Sequence, residues 1–376
     1  MKAQTPARFL RSLVMLVLLA AVPAAVRAQD ARSALTNFPE SQAVLYINAR
    51  RLINEAAPAV VPPEVLQKGL AEAKQFIDLN GLEYVIAGAR LKGDMSLKQL
   101  PEFLLIVRGN FSADALLSGA RMMGQDMYTQ ETVGTKTISV FTLNKPAPAG
   151  GGEQTGKNFP IDQVAATALD ANTIAIGIPA YLKDAMETTS GAGGRPKLKP
   201  ELVDLALRDA NTLVSLVADI PGGISQHIRA LGAPPNAEME RMVDAVRQVQ
   251  VAVNMQPSTF GVQSIIRMDD AEKASALSGL INMGLGFAKG ELQKDLQKAS
   301  ESSKADLTAL MRVVETLTNT ARGNEVELNV TFQQAGLAEV IKRQFAAKKA
   351  QSTVTPKPDA NKGAAVKRRR ARPRRR

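Results

Sequence analysis

Short runs of β-branched and aliphatic residues alternate along the chain with longer stretches whose apolar positions recur every three or four residues, and this order occurs twice. In the first pass, Ala43-Val-Leu-Tyr-Ile-Asn-Ala predicts a strand followed by a loop. A helix is expected from about Pro62, where two prolines precede Val65, Leu66, Leu70, Ala73 and Ile77 at helical spacing. Residues 81–91 and 102–111 predict two strands joined by a polar loop, and Ser112 is placed to cap the next helix. In the second pass, residues 212–219 form the opening strand. A helix from about Asn236 carries Met239, Met242, Val243 and Val246 on one face, residues 249–255 and 260–268 form the hairpin, and Asp269-Asp270 opens the next helix. First and second strands start 39 residues apart in one pass (43 to 82) and 37 in the other (212 to 249).

Residue-level similarity peaks in the helix after each hairpin, where residues 115–124 and 275–284 are identical at five of ten positions. Both passes also close alike. Asn172-Thr-Ile-Ala-Ile-Gly-Ile leads into a helix at Ala180, and the strand beginning Asn324-Glu-Val-Glu-Leu leads into a helix at Leu337. Hairpins with helices covering one face give an α+β class: two similar β-α-β-β-α halves with a largely antiparallel sheet. The first half adds a hairpin from Tyr128 to Leu143 and a Pro/Gly-rich loop from Lys145 to Pro160. The second adds a long helical excursion from Ala271 to Arg322, two helices broken near Ser300. Met122, Met123 and Met311 sit at helical spacing and are expected in the core. The boundaries read as 1–28, 29–191, 192–350 and 351–376.

The first of these segments changes the picture of where the protein works. Lys2, Arg8 and Arg11 precede an apolar run from Leu13 to Ala25, and Val26-Arg27-Ala28 offers small residues for cleavage before Gln29. That is the layout of a secretory signal peptide, and its apolar run is shorter than a membrane-spanning helix requires. The expectation is therefore export to a periplasmic or extracellular location, with no transmembrane span in the mature chain. The chain contains no cysteine, which excludes thiol nucleophiles, thiolate metal sites and disulfide staples.

Charge is concentrated at the ends. Of the net +11, residues 351–376 hold +9 and residues 1–28 hold +4, which leaves −2 on the body. A nearly neutral body does not carry the field of a nucleic-acid-binding domain. Residues 351–366 are poor in large apolar groups and are expected to be disordered. Lys367, Arg368, Arg369, Arg370, Arg372, Arg374, Arg375 and Arg376 follow, a cluster that binds polyanions through counterion release with little sequence preference. The expected partners are anionic envelope polymers or lipids, among them lipopolysaccharide, acidic head groups and acidic polysaccharide. Non-specific contact with nucleic acid is also open, but no aromatic residue interleaves with the cluster to stack on bases.

No catalytic, metal or cofactor motif stands up in the body. Gly151-Gly-Glu-Gln-Thr-Gly-Lys157-Asn158 has phosphate-loop spacing but lies between Pro/Gly-rich sequence and Phe159-Pro160, where a strand and helix are required. His227 is the only histidine, Ser225 lies two residues before it, and no nucleophile-elbow motif exists to complete a triad. Asp269-Asp270 is accounted for by helix capping.

The segment from Pro39 to Ile47 (Pro-Glu-Ser-Gln-Ala-Val-Leu-Tyr-Ile) and the repeated unit resemble exported bacterial proteins that share a duplicated α+β unit and lack an assigned activity. The resemblance covers roughly residues 38–345 and implies no site residues and no cofactor. These readings together suggest a non-enzymatic binding or envelope-associated protein. The alternatives are a hydrolase-like enzyme with a cleft between the halves, or a nucleic-acid-associated protein acting through the tail.

Overall fold

The computed structural model describes residues 28–74, 77–91, 101–124, 127–143, 161–190, 196–223, 225 and 237–353. The expected signal peptide, the glycine-rich segment at 151–158, His227, the boundary at 191/192 and the basic cluster lie outside them.

The chain enters through helix α1 (Ala28–Thr36) and strand β1 (Ala43–Ile47). The loop expected after β1 is helical instead. Helix α2 (Ala49–Arg51) runs through a π-helical turn (Leu52–Ala56) into α3 (Ala57–Val60), capped by Asn48, whose side chain accepts from the Arg51 amide. Buried Ala49, Ile53, Ala56 and Ala57 give this segment an apolar face, which is why it packs rather than loops. Next come α4 (Pro63–Lys74), β2 (Leu82–Arg90), β3 (Glu102–Gly109), α5 (Ala113–Gly124), the expected hairpin β4 (Tyr128–Val133) and β5 (Lys136–Thr142), then β6 (Gln163–Asp170), β7 (Thr173–Gly177) and α6 (Pro179–Ser190).

The second half comprises α7 (Pro200–Ala206), β8 (Thr212–Asp219), α8 (Ala237–Asp244), β9 (Val246–Met255), β10 (Thr259–Met268), α9 (Ala271–Lys298), α10 (Glu301–Thr316), β11 (Thr318–Arg322), β12 (Glu325–Gln333) and α11 (Gln334–Thr353). Two expectations are corrected here. Val246 starts a strand rather than closing a helix, and the helical excursion ends at Thr316. Residues 318–322 turn at Gly323, whose φ of +57° suits glycine, and pair as β11 with β12.

All twelve strands belong to one antiparallel sheet, ordered β11-β12-β10-β9-β8-β1-β2-β3-β7-β6-β5-β4. The duplication is written in this order. Each half runs first strand, second, third, then the closing hairpin with its later strand innermost, and the two first strands meet in the middle. One row of cross-strand partners shows it: Asn319, Leu328, Ser264, Val251, Leu216, Leu45, Ala87, Leu105, Ile176 and Ala166. The Leu45–Leu216 pair sits at its centre, so a pseudo-twofold axis passes between β1 and β8 perpendicular to the sheet.

The sheet has two unlike faces. The front carries the main core: Tyr46, Ile86, Leu104, Ile106 and Ala175 pack under α1, α6 and α7, where Leu35, Tyr181, Leu182 and Leu202 are fully buried. The back is covered in patches. Helices α2–α4 lie on Ile47, Val85 and Val214, α5 on Ala166 and Ile174, and α9 on Ile266, Met268 and Val326. Met311 is buried as expected, but Met122 and Met123 are each 73% exposed, because α5 turns its Ala113–Leu117 face to the sheet and ends past the core.

Candidate functional site

The pseudo-twofold axis places equivalent strand ends at opposite ends of the sheet, and each end forms a cleft. The first-half cleft, about 550 Å³, lies where β2 begins, β3 ends and the β6–β7 turn crosses, and it is lined by Arg50, Asn80, Glu83, Arg108, Asn110 and Asn172 among others. The second, about 510 Å³, lies where β9 begins, β10 ends and the β11–β12 turn crosses, and its lining includes Arg247, Gln248, Arg267, Asp269, Asn324 and Glu325.

One frame builds both. The amide of Gly109 donates to the Asn172 carbonyl at 3.1 Å, and the amide of Met268 donates to the Asn324 carbonyl at 2.8 Å. The next amide, Asn110, donates to Gly81 at 2.7 Å in one half, and Asp269 donates to Ala245 at 2.9 Å in the other. Each turn asparagine also ties its side chain to the neighbouring chain: Nδ2 of Asn172 donates to the Phe111 carbonyl at 3.1 Å, and Nδ2 of Asn324 to the Met268 carbonyl at 3.0 Å. The asparagine amides thus lock the turn against the end of the third strand. Ser112 and Asp270 then start α5 and α9, accepting from the amides of Ala115 at 3.2 Å and Lys273 at 2.8 Å, the capping role expected of both.

An arginine stands one residue before the end of the third strand in each frame. Arg108 is the cross-strand partner of Tyr84 and Thr173, and Arg267 that of Gln248 and Glu325. Arg267 is held tightly, with Nε donating to Glu325 Oε1 at 2.7 Å and Nη1 to Gln248 Oε1 at 3.0 Å. Arg208 reaches the other oxygen of Glu325 at 2.8 Å. Burial alone would raise the Glu325 carboxyl, but the hydrogen bonds from Arg267 and Arg208 outweigh it and hold the group below the usual carboxylate range.

No protein-family model and no curated protein matches this chain. Among solved structures, crystal forms IV, III and I of TP0453 are similar at TM-scores of 0.39, 0.39 and 0.36, each at 10% identity and over 82% of this chain and 95–97% of that one. The likeness is distant and assigns no family.

The polarity of the front face separates the halves. Ile86, Ile106 and Ala175 form one cross-strand row in the first half, and Gln250, Ile265 and Glu327 form the matching row in the second. Leu104 is likewise matched by Gln263. Helix α6 covers the apolar version, whereas α11 leaves β12 for the opposite face and packs Leu337 against the cluster around Ala56, Leu213 and Phe260. The second-half face therefore stays partly open and is filled by polar pairs: Gln263 donates to Glu327 at 2.8 Å, as does Asn329 at 2.9 Å. Those bonds, the Asn329 one leading and burial opposing, hold the Glu327 carboxyl low.

Of the serine–histidine arithmetic in the sequence, Ser225 is described: its hydroxyl donates to Asp244 at 2.7 Å and its amide at 3.0 Å, which ties the segment before α8 to that helix. Among the described residues no helix is long and apolar enough to cross a membrane, and no three acidic or histidine side chains group to hold a metal ion. The sequence alone does not single out the paired arginines, although Ile106-Val-Arg108 and Ile265-Ile-Arg267 at corresponding strand ends, with Asn172 and Asn324 in the turns, carry a signal for them. Their partners on other strands carry no such signal.

Proposed function

We propose that this chain is a non-enzymatic, exported binding protein of the bacterial envelope, with a body that holds ligand in its arginine-and-amide cleft and a basic tail that contacts anionic polymers or lipids. One observation supports the body's part above all: the same strand-end frame, centred on an arginine and a turn asparagine, is built twice. Guanidinium groups keep their proton and amides do not titrate, so these groups recognise and orient rather than transfer protons. The tail's part rests on its eight basic residues, Lys367, Arg368, Arg369, Arg370, Arg372, Arg374, Arg375 and Arg376, and on the near-neutral body that precedes them.

The test compares the mature protein with a form lacking residues 351–376, for binding to lipopolysaccharide, acidic vesicles and DNA across a salt series. The full chain is expected to bind at low salt and to lose affinity steeply as salt rises, and the truncated chain to lose most of that binding. Equal binding by the truncated chain would remove the tail from the function.

A further inference from the structure

We propose that the first-half cleft binds a ligand carboxylate between Arg108 and Arg50, and that Glu325 in the second half is the built-in counterpart of that carboxylate. The inference rests on the reading of the body as a ligand-binding scaffold and names the chemistry its cleft selects.

The argument comes from comparing equivalent positions. In the second half the row across the strands reads Gln248, Arg267, Glu325, and one glutamate sits between two guanidinium groups, Arg267 at 2.7 Å and Arg208 at 2.8 Å. In the first half the same row reads Tyr84, Arg108, Thr173. The position that supplies the carboxylate in one half supplies a short hydroxyl in the other, and that hydroxyl lies 3.4 Å from Arg108 Nη1. A second guanidinium, Arg50, is again present, now from α2, lining the same cleft as Arg108. In the second half Glu325 thus bridges Arg267, which lines the cleft, and Arg208 beside it, whereas the equivalent position in the first half offers Arg108 only a hydroxyl.

The acids that do face Arg108 do not fill that role. Glu83 stands 3.5 Å from its Nε and Asp170 3.4 Å from its Nη1, both longer than the 2.7–2.9 Å of a strong charge-assisted bond. Asp30 adds a more distant negative field. Arg50 makes no ion pair among the described residues. A carboxylate entering the cleft would gain an arginine that has no ion-pair partner among the described residues and offer closer contacts to one whose acidic partners stand at 3.4 and 3.5 Å. Planar carboxylate also matches the guanidinium fork better than a spherical anion does. The amides of Asn80, Asn110 and Asn172 line the same cleft and can hydrogen-bond the remainder of such a ligand.

The probe is glutarate, a dicarboxylate in which one carboxylate and the two methylenes next to it reproduce the Glu325 side chain and the third methylene stands for its Cα, titrated into the full chain at physiological salt by calorimetry. The expected result is one glutarate per chain, with affinity reduced about tenfold or more in both Arg50→Gln and Arg108→Gln, as loss of a charge-assisted bond predicts. Thr173→Glu installs the second-half arrangement in the first half and is expected to abolish binding. Arg50 is only half-buried, on the short helix α2 rather than in the sheet, so its variant keeps the test valid should either replacement at 108 or 173 disturb folding. Three results would overturn the proposal: no glutarate binding by the wild-type chain, binding unchanged in both arginine variants, or displacement of glutarate by inorganic phosphate at equal affinity. A chain that ignores glutarate yet still binds lipopolysaccharide through its tail would remove the carboxylate site and leave the envelope-binding reading standing.

Discussion

At the end of the sheet opposite the first-half cleft, Arg90 joins three elements by itself. Its guanidinium bonds Glu102 on β3 and Asp184 on α6, each at 2.6 Å, and lies 4.1 Å over the ring of Tyr181. The Tyr181 hydroxyl meets the Ser41 hydroxyl and donates to the Glu40 carbonyl at 3.1 Å, so the segment before β1 is tied to the same knot. Burial is the main reason that Tyr181, Tyr46 and Tyr84 are each pushed up to about 12. A phenol whose folded value lies above its unfolded value near 10 stabilises the fold fully below pH 10, and that contribution is lost as pH rises through 12. Ultraviolet titration should therefore show these three phenols ionising late, together with unfolding; independent ionisation near pH 10 in the folded protein would contradict their burial. Gly88 makes a second residue-scale case. An added Cβ would fall 2.2 Å from the ring of Phe38, which is fully buried against the sheet. Gly88→Ala is expected to cost about 1–3 kcal/mol of stability, measured by denaturant unfolding, since the wedge of Phe38 has no room to retreat.

At the scale of elements, what could be read in the chain depended on whether a segment's own residues carried its burial. β2, with Tyr84, Val85 and Ile86 buried in succession, and β9, with its alternating burial, announce themselves. β11 does not: Thr-Asn-Thr-Ala-Arg is exposed on an outer edge and is a strand because β12 pairs with it. Helices α2 and α7 escaped notice for a related reason, being short segments whose apolar residues mean little until the sheet is beneath them. The five identities between α5 and α9 misled in detail. The matched Gly119 and Gly279 face open space, and the buried pairs Ala113/Leu117 and Ala274/Ser278 put the packing one residue away from that alignment. The caps, by contrast, follow from local chemistry and were legible. Ser112→Ala should lower stability by about 1 kcal/mol, and Ser112→Asp should retain it, as read from thermal melts of the two variants.

At the scale of the molecule, the strands that carry Arg108 and Arg267 were legible in the sequence, but the arginines as a site, and what surrounds them, were not. Thr173 and Glu325 become comparable only when β7 and β12 are laid beside β3 and β10, a pairing that crosses dozens of residues. The central pairing of β1 with β8 has a further consequence. Five residue pairs, Ala43–Ala218 through Ile47–Val214, join each first strand to its own repeat in antiparallel register. Around them α1 meets α7 through Arg32 and Asp204 at 2.8 Å, and the Leu198 amide donates to the Phe38 carbonyl at 2.8 Å. That is the geometry by which identical subunits make an isologous dimer, here drawn within one chain. The covalent link between the halves is then dispensable once the interface exists. Residues 29–191 and 192–353, expressed as separate polypeptides, are expected to copurify as a one-to-one complex with the circular dichroism of the intact body, and each alone to aggregate along its uncovered central strand.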